Sequence, residues 1–335
     1  MIPSNAQAAS ADPDIQTGMP ATGMQNDNIA KPVVARNLVK NYGTKKAPVH
    51  AVRDISFEVE AGEIFGIIGP DGAGKTSLFR MLTTLLLPDG GSASIDGFDV
   101  VKDFKAIRRR VGYMPGRFSL YQDLSVEENL EFFATIFNTT VAENYHLIKD
   151  IYQQIEPFKE RKAGKLSGGM KQKLALSCAL IHRPSVLFLD EPTTGVDAVS
   201  RKEFWAMLKD LKAQGITILV STPYMDEAGM CDRVALMQSG KVMSLDTPQG
   251  IVNSYAHPLL ALRSADMFRL LKDSRGFPDL VDIYPFGEFH HAVMRTAGTQ
   301  SAFETYLQQF NHTGLEMHEI KADIEDCFIA LMKTS

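Results

Sequence analysis

Two separated groups of residues have the types and spacing for chemistry on phosphate. The first is the run Gly69-Pro70-Asp71-Gly72-Ala73-Gly74-Lys75-Thr76-Ser77, in which Gly69, Gly74, Lys75 and Thr76 fill the pattern G-x-x-x-x-G-K-[ST]. Backbone N–H groups of such a loop cradle phosphate oxygens, and its glycines take angles that a Cβ forbids. Lys75 would reach the β and γ phosphates of a nucleoside triphosphate, and the Thr76 hydroxyl would ligate Mg2+. The lysine and the order of the glycines separate this run from the dinucleotide fingerprint G-x-G-x-x-G. The competing reading is an ordinary glycine turn, which the strand-turn-helix context disfavours. The second group is Asp190-Glu191, closing the apolar run Val186-Leu187-Phe188-Leu189. Asp190 would hold Mg2+ through its hydration shell, and Glu191 would orient or deprotonate an attacking water. Adjacent carboxylates can also be a solvated strand end; the phosphate loop upstream weighs against that.

Two weaker signals accompany them. Ser167-Gly168-Gly169 opens a helix and offers a second anion-binding geometry, although alone it reads equally well as a plain helix cap. Tyr42 is ordinary packing or a stacking surface for an adenine ring.

The elements that must position these residues are readable from pattern. Residues 63–68 form a buried strand and residues 78–87 a helix that stops at Pro88-Asp89-Gly90-Gly91. Short strands are expected at 33–38, 55–59, 92–95 and 110–114. Ser125-Val126-Glu127-Glu128 is a capping box, and helices follow it and span 143–158 and 170–181. The strand ending in Asp190-Glu191 is apolar throughout, which suits a parallel sheet with ligands at its carboxyl edge. A helix over 200–213, a strand over 216–221 and a hairpin around Ser239-Gly240 complete this part.

From His257 the pattern changes. Strands at 259–263, 280–284, 289–294 and 315–320 alternate with helices at 265–273 and 300–310, the β-α-β-β-α-β order of a small ferredoxin-like module. A last helix over 324–332 carries Ile324, Phe328, Leu331 and Met332 as an apolar stripe that needs a partner surface. His290 and His291 would point to opposite faces of their strand, which makes them poor joint metal ligands.

At 335 residues the chain holds one large domain and a smaller one. A net charge of −5 and the lack of basic runs weigh against nucleic acid as a partner. No apolar stretch approaches the roughly 20 residues of a membrane span, so a membrane role requires a partner. Cys178, Cys231 and Cys327 are widely spaced and odd in number, which fits reduced cytosolic thiols. Residues 1–31 read as a disordered leader without the features of a signal peptide.

The phosphate loop, Leu166-Ser167-Gly168-Gly169-Met170-Lys171-Gln172, the Asp190-Glu191 strand and the turn at Asp197 occur in the order and spacing of one family. Over roughly residues 32–250 the chain resembles the ATP-binding subunit of an ABC transporter. Tyr113-Met114-Pro115 and Thr193-Thr194-Gly195-Val196-Asp197 bring it nearest to the stand-alone ATPases of ABC-2-type exporters. The resemblance implies an α/β P-loop NTPase domain over 32–254, with an antiparallel β subdomain and a helical subdomain at about 115–180. An accessory α+β module follows over 255–335. It implies ATP and Mg2+ as cofactors, and two ATPase domains that sandwich two ATP molecules head to tail. Each site then joins one chain's phosphate loop to the other's signature. Tyr42 would stack on adenine, and Ser167, Gly168 and Gly169 would bind the γ-phosphate held by the partner. Membrane-spanning permease subunits would hold the chain on the cytoplasmic face.

Two positions depart from the family pattern. A glutamine that ligands Mg2+ and contacts the water is expected directly after Tyr113-Met114-Pro115, and Gly116 stands there. Gln122 could serve only if the loop refolded. A histidine contacting the γ-phosphate is expected after the strand at 216–221, and Pro223 stands there, with neither an imidazole nor an N–H. Losing one preorganised donor where charge develops costs about 10²–10³ in rate. The expectation is slow turnover at this chain's own loop, with an intact signature that serves a second ATPase chain, in a heterodimer or a homodimer. The alternatives are a non-hydrolysing regulatory subunit of a heterodimeric transporter and a soluble ABC protein outside transport. The latter usually has two ATPase domains or a long coiled coil, and neither a repeat nor sustained heptads occur here.

Overall fold

The computed structural model describes residues 31–44 and 47–334, so the leader expected over 1–31 lies almost wholly outside the described residues. The described residues open with two long antiparallel strands, β1 (Val33–Thr44) and β2 (Ala47–Val59). β3 (Ile64–Ile68) then delivers the chain to the phosphate loop and α1 (Lys75–Leu82). β4 (Gly90–Ile95) and β5 (Phe98–Asp99) complete the antiparallel sheet in the order β2-β1-β4-β5. After α2 (Phe104–Arg108) and β6 (Val111–Met114) comes a helical region of α3 (Val126–Ile136), α4 (Val141–Tyr152) and α5 (Gly168–Leu180). The chain returns through β7 (Val186–Asp190), α6 (Ala198–Ala213), β8 (Thr217–Thr222), β9 (Arg233–Gln238), β10 (Lys241–Asp246) and α7 (Pro248–Asn253).

The second sheet runs β10-β9-β3-β8-β7-β6, with only the edge strand β10 antiparallel. β3, β7 and β8 are buried along their whole length, as strands covered on both faces must be. Alternate side chains divide between two cores. Ile64, Ile68, Leu187 and Leu189 face the helical region, while Phe65, Ile67, Val186 and Phe188 face α1 and the antiparallel sheet. The register pairs Ile68 with Thr222 and Asp190 with Ser221. The phosphate loop and the two carboxylates therefore emerge side by side at one edge of the sheet.

Several elements differ in extent from their sequence expectation. β1 continues six residues beyond the expected stop because a register shift around Asn37, at φ 50°, breaks the alternation without ending the pairing. α1 ends at Leu82, where Thr84 turns to φ 64° and the Leu85 and Leu86 amides both donate to the Arg80 carbonyl. α4 stops at Tyr152, and a separate 3-10 turn covers Glu156–Phe158.

The remaining chain forms β11 (Leu259–Arg263), α8 (Met267–Ser274), β12 (Leu280–Phe286), β13 (Phe289–Met294), α9 (Gln300–Gln308) and β14 (Glu316–Ile320). Its sheet order is β12-β13-β11-β14, every neighbour antiparallel, over a core that includes Leu262, Leu270, Phe303 and Leu307. His290 and His291 diverge: the first is within 2.7 Å of the Met267 carbonyl, and the second bonds Asp326 at 2.7 Å. The last helix, α10 (Ile324–Thr334), leaves this module. Its Ile324, Cys327 and Phe328 pack into the same core as Leu187 and Leu189, while Asp326 accepts from Tyr284 and His291. α10 thus ties the C-terminal sheet to the nucleotide-site domain. Among the described residues no helix is long and apolar enough to cross a membrane.

Candidate nucleotide-binding site

The loop is held by contacts that exclude a side chain. A Cβ on Gly69 would fall 2.0 Å from the Met237 carbonyl oxygen, and one on Gly74, at φ 104°, 2.0 Å from that of Ala51. Only glycine satisfies both positions. Ala73 is buried and its carbonyl accepts from the Gly240 amide, while Asp71 and Gly72 are exposed at the crest. α1 begins at Lys75 with no side-chain cap, so the N–H groups of its first turn and its positive dipole end face the loop. This is a cradle of a size and polarity that fits a chain of phosphates.

Lys75 is almost fully buried. Its ammonium donates to the carbonyls of Gly69 at 2.8 Å and Pro70 at 3.1 Å, and lies 3.4 Å from the Glu191 carboxylate. The Thr76 hydroxyl donates to Asp190 at 3.2 Å. Ser221, which pattern reading did not single out, joins the cluster: its hydroxyl donates to the same Asp190 oxygen and accepts from the Glu191 amide. Glu191 itself stands at φ 51°, a left-handed backbone that a non-glycine residue rarely keeps. Two bonds hold it there, from its amide to the Ser221 carbonyl and hydroxyl. Thr76 and Asp190 present hard oxygen donors close together, the donor type Mg2+ prefers, with room for retained water. The residues present fit that ion.

A cavity of about 470 Å3 opens onto Thr76, Asp190 and Glu191, and Gly116, Arg117 and Arg80 also line it. A Cβ on Gly116 would meet the Asp190 carbonyl oxygen at 3.0 Å, so position 116 lies directly against the carboxylate-bearing strand. Gln122 is elsewhere: it is exposed, packs beside Gly164 and does not line this cavity. Pro223 follows β8 with no donor to offer, in a turn where the Tyr224 amide bonds the Thr222 hydroxyl. Tyr113 borders the cavity, and burial, helped by Asp190, pushes its phenol up to about 12. Tyr42 is half exposed, with its hydroxyl 3.1 Å from Ser77 and the Lys40 ammonium 5.9 Å from its ring centre.

The signature residues lie apart from this cluster. Ser167 caps α5 by accepting from the Met170 amide, and Gly168 and Gly169 lie near Gly195 and Ser200. None of the three lines the cavity beside Lys75 and Asp190. Asp197, predicted only as a turn, is the N-cap of α6, and the amides and hydroxyl it bonds hold its carboxyl below the ordinary range. Ser221, Arg80 and Arg117 carried no local motif; strand register, the course of α1 and the loop after β6 bring them to the site.

Known proteins share this architecture. The ABC transporter family pattern matches residues 52–194, which contain the phosphate loop, Ser167–Gly169 and Asp190-Glu191. The probable multidrug ABC transporter ATP-binding protein YbhF of Escherichia coli K12 is 45% identical over 286 residues, covering 84% of this chain and 49% of that protein. This chain therefore spans about half the length of that relative. The Nod factor export ATP-binding protein I of Burkholderia lata is 39% identical over 226 residues, covering 67% of this chain and 73% of the relative. Among solved structures, cbiO1 from Clostridium perfringens, part of the ABC transporter complex cbiONQ, superposes with a TM-score of 0.59 at 27% identity, covering 67% of this chain and 91% of that one. The dimeric post-hydrolysis cassette MJ0796 bound to ADP and Pi gives 0.59 at 25% identity, over 64% and 98% of the two chains. Fold, site geometry and these matches agree: the chain belongs to the ABC transporter ATP-binding family.

Proposed function

We propose that this chain is an ATP-binding, ATP-hydrolysing subunit of a membrane export complex, with slow turnover at its own phosphate loop and a signature that serves a second ATPase chain. The observation that carries this reading is the convergence of Lys75, Thr76, Asp190 and Glu191 beneath a glycine cradle, with Gly116 against Asp190 and Pro223 just after β8. Lys75 and the loop amides would hold the phosphates, Tyr42 the base, and Thr76 with Asp190 the Mg2+ ion, which neutralises phosphate charge when bound. Glu191 orients the attacking water and draws its proton. Around that water the chain supplies no side-chain amide from position 116 and no imidazole from position 223. Binding is thus better provided for than cleavage.

The export partner is supported by the relatives' roles and by a groove of about 390 Å3 between β6, α3 and α5, walled by Met114, Phe118, Phe133, Phe137 and Ala175. Tyr113, Pro115 and Gly116 belong to both the groove and the nucleotide cavity. A permease segment seated there would feel the nucleotide site through one short stretch of chain, and would keep this chain peripheral on the cytoplasmic face. A second reading is favoured by the same two departures: a regulatory subunit that holds ATP without cleaving it and lends Ser167–Gly169 to a competent partner.

Native mass spectrometry of the complex recovered from membranes through a tag on this chain tests the assignment. The expected composition is permease subunits and a second, different ATPase chain. Recovery without any membrane protein contradicts the transport reading. Recovery of permease with only copies of this chain contradicts the heterodimer.

A further inference from the structure

The stretch after β6 carries an arginine into the nucleotide cavity. Arg117 borders the space also faced by Thr76, Asp190 and Glu191. Arg80, the other guanidinium there, is engaged with the Tyr113 hydroxyl. Arg117 is exposed and, among the described residues, has no hydrogen-bond or ion-pair partner. Its neighbour Gly116 lies against the Asp190 carbonyl, so the backbone that bears Arg117 starts at the wall of the site.

We propose that the Arg117 guanidinium donates to the γ-phosphate of an ATP bound at this chain's own loop, beside the place left by the glutamine absent from position 116. The proposal rests on the nucleotide-binding reading above. Arginine presents five N–H donors in a rigid fork that matches phosphate oxygens, and it stays charged at any relevant pH. Lys75 is already shared between two carbonyls and Glu191, so a second cation beside the Glu191 cavity complements it. Arginines supplied to a transferring phosphoryl group stabilise the charge that develops on it.

Because the contact is to the terminal phosphate alone, ATP and ADP separate it from every structural effect. Equilibrium titration of the full-length chain with Mg-ATP and with Mg-ADP should be run for the native protein, Arg117→Ala and Arg117→Lys. Arg117→Ala should weaken ATP about tenfold or more, the worth of a charge-assisted hydrogen bond, while ADP changes by less than about twofold. Arg117→Lys should fall between the two, and turnover should drop in the same order. Equal shifts for ATP and ADP, or no shift for either, would overturn the proposal. A native chain that binds neither nucleotide would instead overturn the functional reading on which it stands.

Discussion

Two helices of this protein begin on glycine-containing turns, and their first turns are in opposite states. At α1 the cap is Gly74 and no side chain accepts from the amides, so the terminus is left to an external anion. At α5 the cap is Ser167, which accepts from the Met170 amide at 3.3 Å. The glycines differ as well. Around the phosphate loop an added Cβ strikes backbone carbonyls at 2.0 Å, whereas at Gly168 the nearest atom is 3.5 Å away and at Gly169 it is the movable Ser200 side chain. The loop is built into the sheet and has its own lysine, threonine and carboxylates. The signature is already satisfied within its helix and offers its hydroxyl and small residues outward. On the reading proposed above, one half would hold nucleotide by itself and the other would act on nucleotide brought by a second chain.

That contrast can be broken or sharpened by substitution. The largest effect is expected from Lys75→Ala, which removes the buried ammonium between the loop carbonyls and Glu191; turnover should fall about 10²–10³-fold in a steady-state phosphate-release assay. Ser221→Ala comes next. It cuts the bridge between Asp190 and the Glu191 amide, and should lower turnover about tenfold with ATP affinity nearly unchanged, since Lys75 and the loop remain. Ser167→Ala should cost about 1 kcal/mol of stability through the lost cap, seen in urea unfolding. In the isolated chain it should leave ATP binding as it was, and a loss there would erase the distinction between the two helix starts. The smallest effect is a pH slope on the α5 side. Burial pushes the His182 imidazole from 6.5 down to about 4, so the unfolded chain takes up its proton first as pH falls. This contribution is present above about pH 6.5 and is lost on acidification toward about pH 4. Thermal midpoints across that window should decline less steeply in His182→Gln than in the native protein.

The loop, the Asp190 strand and the capping box at Ser125 were legible because each is a local pattern with a local cause. Ser221 was not, because its role depends on β7 and β8 pairing Asp190 with Ser221 across 31 positions of sequence. Arg117 escaped notice for a similar reason: its place is set by where β6 ends and not by its neighbours. The length of β1 was hidden by the shift at Asn37, where a left-handed residue interrupts the period of two. The stripe on α10 announced a partner surface without naming it, and that surface proved to be α7 and the 3-10 turn over Met225–Met230, continuous with the core of the nucleotide-site domain. Amphipathic pattern records that a face is buried but not against what.

The central claim is that Gly116 and Pro223 leave a site that holds ATP better than it cleaves it. Turnover of the purified chain should be compared with that of the Gly116→Gln/Pro223→His variant and of Glu191→Gln. Position 116 has no positive φ, and an added Cβ requires the Asp190 carbonyl to yield by a few tenths of an ångström, so thermal unfolding of the double variant is measured beside its turnover. The account predicts slow but measurable native turnover and a rise of about tenfold or more in the double variant, with Glu191→Gln at background. Brisk native turnover that the double variant does not exceed would contradict it.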